Sequence, residues 1–339
     1  MKLMSVIIPV YNAENYLDKT IQSVINQSIG FNNIELILVD DNSSDGSKII
    51  IEKYCNKYDN IIPYYSNKNH GFPGFGRNMG IKMATTDYIM FLDNDDEYDK
   101  DICKKLYETL VDENADVVSC GRVLIDYLGQ LKDSYYFIGG KHKNNSVIFE
   151  NDEILSFCSI TVWNKIFKKE IIYDNNLKFL ENSSADDFAF SVEYHIKSNK
   201  LVHLKDYYGY NWNIRGESLS NTIKIQHIEE VLVAYNYIVK KIKKENKLNY
   251  SFELLRHMVS LLVLKSSYLD VNYSSFKKIL KDIHDFESFI EFDSTLNDQL
   301  LNKANKLILS NRYLMSIVYL RVLKHLRKIN FLRKIRRKK

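Results

Sequence analysis

The first 120 residues alternate short apolar runs with stretches in which apolar side chains recur every three or four positions. The apolar runs predict five strands, at 5–10, 34–39, 61–65, 88–92 and 117–120. The stretches between them predict four helices, at 16–26, 46–58, 77–84 and 101–114. This βαβα alternation is typical of a Rossmann-like α/β fold, in which helices cover both faces of a mostly parallel sheet.

The pattern changes twice further along the chain. Residues 122–215 are less regular and carry aromatic clusters, whereas from about 225 onward the spacing is helical. The sequence has no glycine or proline after Gly216, which is typical of a series of helices without internal breaks. We therefore expect an α/β domain over 1–220 and an α-helical C-terminal region over 221–339.

Polar side chains follow three of the predicted strands. Tyr11 and Asn12 follow the first, Asp40 and Asp41 the second, and the tetrad 93–96 (Asp-Asn-Asp-Asp) the fourth. In parallel sheets ligands bind at the edge where the strands end. Three crowded carboxylates repel one another unless a cation lies among them, and oxygen ligands suit Mg²⁺ or Mn²⁺ bridged to a substrate phosphate. The alternative is an acidic turn that caps the following helix.

The turn 41–46 joins a predicted strand to a predicted helix. The carboxylate of Asp41 can accept hydrogen bonds from a nucleobase edge or from ribose hydroxyls. The alternative is that Ser43, Ser44 or Asp45 simply caps the helix. Both interpretations hold if Asp45 is the cap and Asp41 the ligand.

Four of the twelve glycines fall in the segment 69–80, just before a predicted helix. Exposed amides of such a loop, together with Arg77, can hold an anionic diphosphate or close over a sugar. The segment has neither the order of a P-loop nor a GxGxxG dinucleotide fingerprint. The alternative is a tight turn that requires positive φ.

The ordered set of these motifs resembles family 2 glycosyltransferases. The motifs are SVIIPVYN at 5–12, VDDNSSD at 39–45, the glycine-rich segment that ends in Arg77-Asn78, and LDNDD at 92–96. The resemblance covers about residues 3–220. It implies a GT-A fold, a nucleotide-diphosphate sugar donor, most simply a UDP-sugar, and Mn²⁺ or Mg²⁺. The glycine-rich segment is one residue longer than the commoner form and is closer to that of enzymes that glycosylate wall or surface polymers.

The resemblance also implies roles for single residues. Asp93 and Asp95 match the family's metal-binding aspartates, and Asp96 shares that work in the other register that the tetrad allows. The donor-binding positions that it implies are Pro9, Tyr11, Asp41, Gly71, Arg77, Asn78, Asp93 and Arg215.

The segment Trp163-Asn164-Lys165, followed by the pair Asp186-Asp187, also matches the family. The resemblance makes Asp187 the base that deprotonates the acceptor, with Trp163, Lys165 and Asp186 as additional site residues. Adjacent carboxylates raise the pKa of one of them, and a base needs only to stay ionised and to face the hydroxyl. The alternative is an acid-rich helix N-terminus, since residues 188–195 have a helical pattern.

Arg215 follows an aromatic segment and begins an Arg-x-x-Ser pattern that ends at Ser218. In the family such a segment can fold over the donor diphosphate, and arginine is a natural ligand for that anion. The alternative is a solvated loop arginine.

The net charge of +4 conceals an asymmetry, because ten Lys or Arg and no acid lie between 321 and 339. Apolar residues recur there at every third position from Leu320 to Ile335. A tail over about 318–339 with one apolar stripe and a basic remainder suits the headgroup region of an anionic membrane. The alternatives are a packed terminal helix with a frayed end, and a nucleic-acid contact, which the scarcity of aromatic residues disfavours.

The N-terminus lacks the pattern of a signal peptide, and no apolar run is long enough to span a bilayer. We therefore expect a cytoplasmic protein that associates peripherally with the membrane.

Taken together, these features predict a metal-dependent, inverting hexosyl- or N-acetylhexosaminyltransferase. Its acceptor would be a hydroxyl of a saccharide, a polymer or a lipid-linked glycan. One alternative is a sugar-phosphate nucleotidyltransferase, although residues 5–12 lack the glycine-rich triphosphate loop that such an enzyme needs. Another is a non-catalytic protein that binds nucleotide sugars or glycans, although its carboxylate positions would be broken and here all are present. The sequence makes no prediction of the sugar, the linkage or the oligomeric state.

Overall fold

The computed structural model describes residues 2–126, 129–133, 141–157, 161–213, 225–269, 271–290 and 299–323. Contacts between Cα atoms divide the chain into two compact units, Met1–Arg215 and Gly216–Lys339. Each unit is described by itself.

The described part of the first unit contains one mixed sheet of eleven strands. The strands are β1 (Met4–Val10), β2 (Ile34–Asp40), β3 (Ile61–Tyr65), β4 (Tyr88–Phe91), β5 (Glu97–Tyr98), β6 (Val117–Asp126), β7 (Gly129–Asp133), β8 (Lys141–Lys143), β9 (Ser146–Glu150), β10 (Lys165–Lys168) and β11 (Lys200–Asn213). Their order is β3-β2-β1-β4-β10-β6-β11-β9-β8, with β5 paired to β11 and β7 to β6. Strands β3, β2, β1 and β4 are parallel, β10 is antiparallel to both neighbours, and β6 and β11 are parallel to each other.

Six α-helices lie in the described part of this unit. They are α1 (Leu17–Ile25), α2 (Ser47–Cys55), α3 (Pro73–Met83), α4 (Ile102–Asp112), α5 (Lys169–Asp174) and α6 (Asp186–Lys197). Successive side chains of a strand point to opposite faces of the sheet, so each strand contributes to two cores. Ile8 and Leu38 pack with α1, α2 and α4, whereas Ile7 and Val39 pack with α3, α5 and α6. Burial on both faces explains why β1 and β2 are continuous apolar runs.

The structure confirms the predicted mostly parallel α/β architecture with helices around the sheet. It also adds β10, which the sequence pattern did not predict, between β4 and β6. This strand is only four residues long and has lysine at both ends, so it shows neither a long apolar run nor clear alternation.

The glycine-dense segment differs from the expectation of an exposed loop, because α3 begins at Pro73 and contains most of it. Proline suits the first turn of a helix, where its missing N–H would have no intrahelical partner. Among its glycines only Gly71 has positive φ, at +86°. Gly76 is required by close packing instead, since a Cβ there would lie 2.8 Å from Cβ of Pro9 on β1.

The second unit is helical in its described part. Its helices are α7 (Ile225–Lys244), α8 (Phe252–Ser266), α9 (Tyr273–Ile290), α10 (Gln299–Leu309) and α11 (313–323). Their buried apolar faces include Ile228, Leu255, Leu262, Phe276 and Ile283. Among the described helices, none combines the length and the apolar character needed to cross a bilayer. Most of the predicted basic tail, from 324 onward, lies outside the described residues.

Candidate active site

The carboxyl ends of β1, β2 and β4 meet at one edge of the sheet. Val10 at the end of β1 is level with Asp40 at the end of β2, and β4 pairs with β1 on the other side. Asp41 directly follows β2, and Asp93 lies two residues beyond β4. Parallel pairing therefore brings residues from distant parts of the sequence to one edge, as in other open α/β sheets.

Asp41 is bound by the segment that precedes α3. Its Oδ2 accepts a hydrogen bond from the backbone N–H of His70 at 2.8 Å, and its Oδ1 lies 2.6 Å from Nδ1 of the same residue. The His70 ring stacks on Phe75 with 3.5 Å between ring centroids. Tyr11 is 48% exposed, whereas Pro9 is buried within β1. This group of side chains gives the edge an aromatic wall and a buried acceptor.

Arg77 joins two parts of the site. Its Nη1 donates to Oδ2 of Asp186 at 2.6 Å, and its Nη2 donates to Oδ1 of Asp93 at 2.8 Å. The side chains of Arg77 and Asp186 are each 4% exposed, and that of Asp93 is 32% exposed. Burial would lower the pKa of Arg77, but the two carboxylates outweigh it and raise the pKa. A direct contact between Arg77 and the sugar donor stays a prediction. What the structure shows is that Arg77 forms ion pairs with Asp93 and Asp186 inside the protein.

Asp187 lies in the first turn of α6, beside Asp186. Its Oδ1 accepts a hydrogen bond from the backbone N–H of Phe188 at 2.7 Å. Burial and then the charge of Asp186 raise the pKa of Asp187 to about 7, against the opposing effect of Arg77. Burial raises the pKa of Asp186 as well. Asp187 is partly exposed, so it combines access with a pKa suited to general-base chemistry near neutral pH.

Asp96 points into the protein. Its Oδ2 accepts a hydrogen bond from the Tyr210 hydroxyl at 2.6 Å, and its Oδ1 accepts one from the backbone N–H of Asn213 at 2.8 Å. Burial, followed by the charges of Asp95 and Asp93, raises the pKa of Asp96 to about 8. Both carboxylate oxygens of Asp96 thus accept hydrogen bonds from residues of β11. These bonds disfavour the alternative in which Asp96 also binds the metal.

Asp93 and Asp95 are both partly exposed at the end of β4. Asp95 lines a cavity of about 210 Å³ together with residues of α1 and with Asn213 of β11. Over the described residues, no group of three or more His, Cys, Asp or Glu is arranged to hold a metal ion. The metal role of Asp93 and Asp95 stays a prediction.

The predicted Trp163–Lys165 segment contacts Tyr210, the residue whose hydroxyl binds Asp96. Trp163 stacks on Tyr210 with 4.0 Å between ring centroids. The guanidinium of Arg122 lies 4.7 Å from the ring centroid of Trp212 and 5.6 Å from that of Trp163. Lys165 is completely buried. These contacts form an aromatic layer between β6, β10 and β11.

Asn78 fixes the chain ahead of α6. Its Nδ2 donates to the carbonyl of Phe179 and to Oε1 of Glu181, both at 3.0 Å, and its Oδ1 accepts from the N–H of Phe179 at 2.8 Å. The predicted contact of Asn78 with the sugar donor stays a prediction. The remaining predicted residues, Arg215 and Ser218, lie outside the described residues.

Sequence reasoning missed three residues that the structure brings to this edge. The sequence gives His70 no ligand-like spacing, yet its side chain and its backbone both bind Asp41. Tyr210 and Asn213 bind Asp96 from β11, more than 100 positions later in the chain. For these two, the only available signal was their place in or beside the aromatic cluster at 207–212.

Comparison with known proteins identifies the domain. Residues 5–171 match the family model described as glycosyl transferase family 2. This part of the chain, about half of its length, is a family 2 glycosyltransferase domain. The match spans the strand ends, Arg77 and the Trp163–Lys165 segment, and it favours glycosyl transfer over nucleotidyl transfer.

Two curated relatives are glycosyltransferases whose names give different acceptors. The chain is 29% identical over 256 residues to the cholesterol galactosyltransferase of Borreliella burgdorferi, covering 73% of this chain and 69% of that protein. It is 29% identical over 272 residues to the poly(ribitol-phosphate) beta-N-acetylglucosaminyltransferase TarP of Staphylococcus aureus, covering 76% of this chain and 80% of that protein. Other curated relatives are longer, and this chain spans 31%, 32% and 33% of the length of three of them.

A solved structure confirms the GT-A fold. The crystal structure of S. aureus TarS 1-349 in complex with UDP-GlcNAc matches with a TM-score of 0.74, covering 96% of this chain and 92% of that one. At 21% sequence identity, this likeness concerns the fold alone.

Proposed function

We propose that this glycosyltransferase moves a sugar from a UDP-sugar to a hydroxyl of a cell-wall or cell-surface polymer, with inversion at the anomeric carbon. The observation that carries the proposal is the bridge from the partly exposed Asp93 through the buried Arg77 to the buried Asp186. It ties the strand end suited to a diphosphate to the helix that carries the candidate base, Asp187. Such rigid spacing between donor and acceptor groups is what in-line transfer requires.

The donor and acceptor classes rest on what the relatives are described as doing. TarP is a poly(ribitol-phosphate) N-acetylglucosaminyltransferase, and TarS binds UDP-GlcNAc in its crystal. We infer a UDP-linked hexose or N-acetylhexosamine as the donor and a polyol-phosphate polymer as the acceptor. The cholesterol galactosyltransferase makes a lipid hydroxyl the second acceptor class to test.

In the proposed reaction Asp187 accepts the proton of the acceptor hydroxyl while that oxygen bonds to the anomeric carbon. The bond from this carbon to the diphosphate oxygen breaks, and the nucleoside diphosphate leaves with the electron pair. Attack from the face opposite the leaving group inverts the configuration. The transition state has oxocarbenium character, as in other glycosyl transfers.

The fold family implies Mn²⁺ or Mg²⁺, and Asp93 and Asp95 fit such an ion. They supply oxygen donors at a partly exposed edge, and these ions are commonly held by one or two carboxylates plus substrate phosphates. When bound there, the ion would neutralise charge on the departing diphosphate. Arg77 orients the Asp93 carboxylate by binding its Oδ1. Asp41, with Tyr11 beside it, is the proposed partner of the nucleoside.

We further propose that the protein works at the cytoplasmic face of an anionic membrane. Helix α11 buries one apolar face through Ile317, Leu320 and Leu323. A second set of apolar side chains on the same helix is 51% to 61% exposed: Leu314, Met315, Val318 and Val322. The basic tail follows directly, so apolar insertion and charge attraction would act on the same segment.

Thermal shifts with UDP-GlcNAc, UDP-glucose, UDP-galactose and GDP-mannose, each with and without Mn²⁺, test the donor and the metal together. We expect stabilisation by one or more UDP-sugars that grows when Mn²⁺ is present. Release of UDP should then increase when poly(ribitol phosphate) is added. A preference for GDP-mannose would overturn the donor assignment, and UDP release that responds only to cholesterol would move the acceptor to the lipid class.

A further inference from the structure

Asp41 and His70 form a hydrogen-bonded pair at the strand edge where we place the nucleoside. Oδ2 of Asp41 accepts from the backbone N–H of His70 at 2.8 Å, and Oδ1 lies 2.6 Å from Nδ1 of the ring. The side chain of Asp41 is 11% exposed and that of His70 is 16% exposed. Both carboxylate oxygens therefore already have a partner in His70, and a nucleoside that reaches Asp41 also meets the imidazole.

Neighbouring groups hold this imidazole in one orientation. One face of the ring stacks on Phe75, with 3.5 Å between the ring centroids and 13° between the ring planes. Phe75 in turn packs against Tyr64 of β3, with 6.3 Å between centroids. The edge of the ring that carries Nδ1 is held by Asp41. A ring fixed at one edge and on one face does not turn freely, so the direction of its second nitrogen is set as well.

The carboxylate also determines which ring nitrogen carries the proton. An ionised carboxylate only accepts hydrogen bonds, so Nδ1–H is the donor in the contact with Oδ1 of Asp41. In the neutral imidazole the other nitrogen, Nε2, is then an acceptor. None of the described residues forms a hydrogen bond with Nε2 of His70, and this atom is not completely buried. The pair thus presents an accessible acceptor whose direction is fixed by Asp41 and Phe75.

An acceptor of this kind distinguishes the two pyrimidine bases. Uracil carries a hydrogen on N3 and can donate it to Nε2, whereas N3 of cytosine is itself an acceptor. Two acceptors that face each other leave both groups without a hydrogen bond, and a site that relies on a hydrogen bond rejects an analogue that cannot form it. Nε2 of His70 therefore fits a uridine nucleotide better than a cytidine nucleotide.

We propose that His70 reads the base of the donor: Asp41 holds the ring in the tautomer whose Nε2 accepts the N3–H of uracil. His70 is thus a specificity-determining residue, and Asp41 acts on the base through it. The inference rests on the proposed binding of a UDP-sugar with its nucleoside at Asp41. It deepens that proposal by naming the residue and the atom that select uracil.

The substitutions His70→Phe and His70→Gln test this role. Phenylalanine keeps an aromatic ring against Phe75 and the backbone N–H that binds Asp41, but it removes both ring nitrogens. Glutamine supplies an amide, which can turn either its oxygen or its nitrogen toward a base. Because the backbone hydrogen bond to Asp41 is kept in both variants, we expect each to melt close to the temperature of the parent protein.

Calorimetric titration of the full chain with UDP and with CDP, both with Mn²⁺, measures the selectivity at about pH 8, where an ordinary imidazole is neutral. We expect the parent protein to bind UDP at least about tenfold more tightly than CDP, since the mismatch leaves a polar group unpaired. In His70→Phe the affinity for UDP should fall about tenfold, and in both variants the two nucleotides should bind within about threefold of each other. A role limited to holding Asp41 would weaken UDP and CDP alike and leave their ratio unchanged.

His142→Phe is the matched control, because His142 lies on β8, at the end of the strand order remote from β2. Its affinities for UDP and CDP should equal those of the parent. An unselective parent protein, or an unchanged ratio of affinities in both His70 variants, would overturn the inference. Tighter binding of UDP in these variants would also overturn it, since His70 would then be a cover that the base displaces. Failure of both variants to fold counts against it too, because the pair would then serve stability.

Asp41→Asn distinguishes this inference from the proposed function. Asparagine can offer the ring either an oxygen or an amino group, so it no longer fixes the tautomer, and the selectivity for UDP over CDP should fall. Unchanged binding and selectivity in that variant would defeat the placement of the nucleoside at Asp41, whatever His70 does. Lower selectivity in Asp41→Asn, together with an unchanged ratio in the His70 variants, defeats only the role of His70.

Discussion

Arg77 and Asp186 form a buried ion pair with 2.6 Å between Nη1 and Oδ2, although 109 positions separate them in the chain. The pair fixes the start of α6 against α3. Because the other Nη of Arg77 binds Asp93, one guanidinium sets the spacing between the end of β4 and the helix of the candidate base. Disturbance of this pair should therefore affect stability and transfer together.

We expect Arg77→Met to lower the free energy of unfolding by about 3–5 kcal/mol, since it leaves buried Asp186 without its cation. Urea unfolding measures the change. Adding Asp186→Asn should restore part of the loss, because the uncompensated charge is then removed. Lys53→Met breaks the exposed pair with Asp18 and serves as the control, for which we expect little change. Equal losses in the two single variants would contradict the role given to Arg77.

Asp187→Asn should abolish transfer while UDP-sugar binding, measured by calorimetry, stays the same. An amide cannot accept the proton of the acceptor hydroxyl, whereas the donor site is left intact. In the parent protein kcat should fall as the pH drops below about 7, because protonation of Asp187 removes the base. A rate that is flat down to pH 5 would place the base elsewhere.

Asp95→Asn should abolish turnover and weaken UDP-sugar binding in the presence of Mn²⁺, since an amide is a poorer ligand for a hard cation. Without the metal, the two proteins should bind the donor equally. Glu97→Gln is the control, because Glu97 lines the same cavity and has no proposed role. Calorimetric titration with UDP-GlcNAc measures both conditions, and Mn²⁺-dependent binding that survives in Asp95→Asn would refute the metal assignment.

Gly76→Ala should destabilise the protein by about 1–3 kcal/mol, because the new methyl group overpacks the contact between α3 and β1. The methyl would lie 3.3 Å from Cα of Pro9, and backbone atoms cannot rotate away. Gly46→Ala is the comparison, since its Cβ would meet the far end of an exposed side chain, Oε2 of Glu14, at 2.9 Å. The melting temperature of Gly76→Ala should be well below that of Gly46→Ala.

The pair of substitutions Leu314→Asp and Val318→Asp should reduce sedimentation with vesicles that contain phosphatidylserine and leave UDP-GlcNAc binding unchanged. Charged side chains on the exposed face of α11 oppose insertion among the headgroups. Val233→Asp on α7, where the parent side chain is 69% exposed, controls for loss of surface hydrophobicity in general. Equal binding to vesicles of phosphatidylcholine alone would show that anionic charge plays no part.

The pattern of apolar and polar residues along the chain predicts much of the fold. Apolar runs located β1 to β4 because strands buried on both faces leave a continuous hydrophobic record. Helix α3 begins at Pro73, four residues before the predicted start at 77, because glycines are typical of a loop and its first turns contain two of them. Their cause is tertiary: Gly76 is small because Pro9 lies against it, and a single sequence does not show such a contact.

The candidate site divides in the same way. The acidic groups at strand ends could be predicted, since parallel pairing brings the ends of successive strands to one edge. The partners of these groups could not. The contact of His70 with Asp41 depends on the position of the segment before α3. The contacts of Tyr210 and Asn213 with Asp96 depend on the position of β11, a strand distant in sequence.

Periodicity and short motifs are local properties of the chain, and they sufficed to predict β1 to β4, the helices between them, the acidic edge and the resemblance to the family. The exposure of each carboxylate, and the cation that it binds, became visible in the folded structure. Asp93 and Asp96 are three positions apart, yet one is partly exposed beside Arg77 and the other is enclosed by β11. Burial and charge pairing depend on neighbours from remote segments, and those neighbours exist only once the sheet has formed.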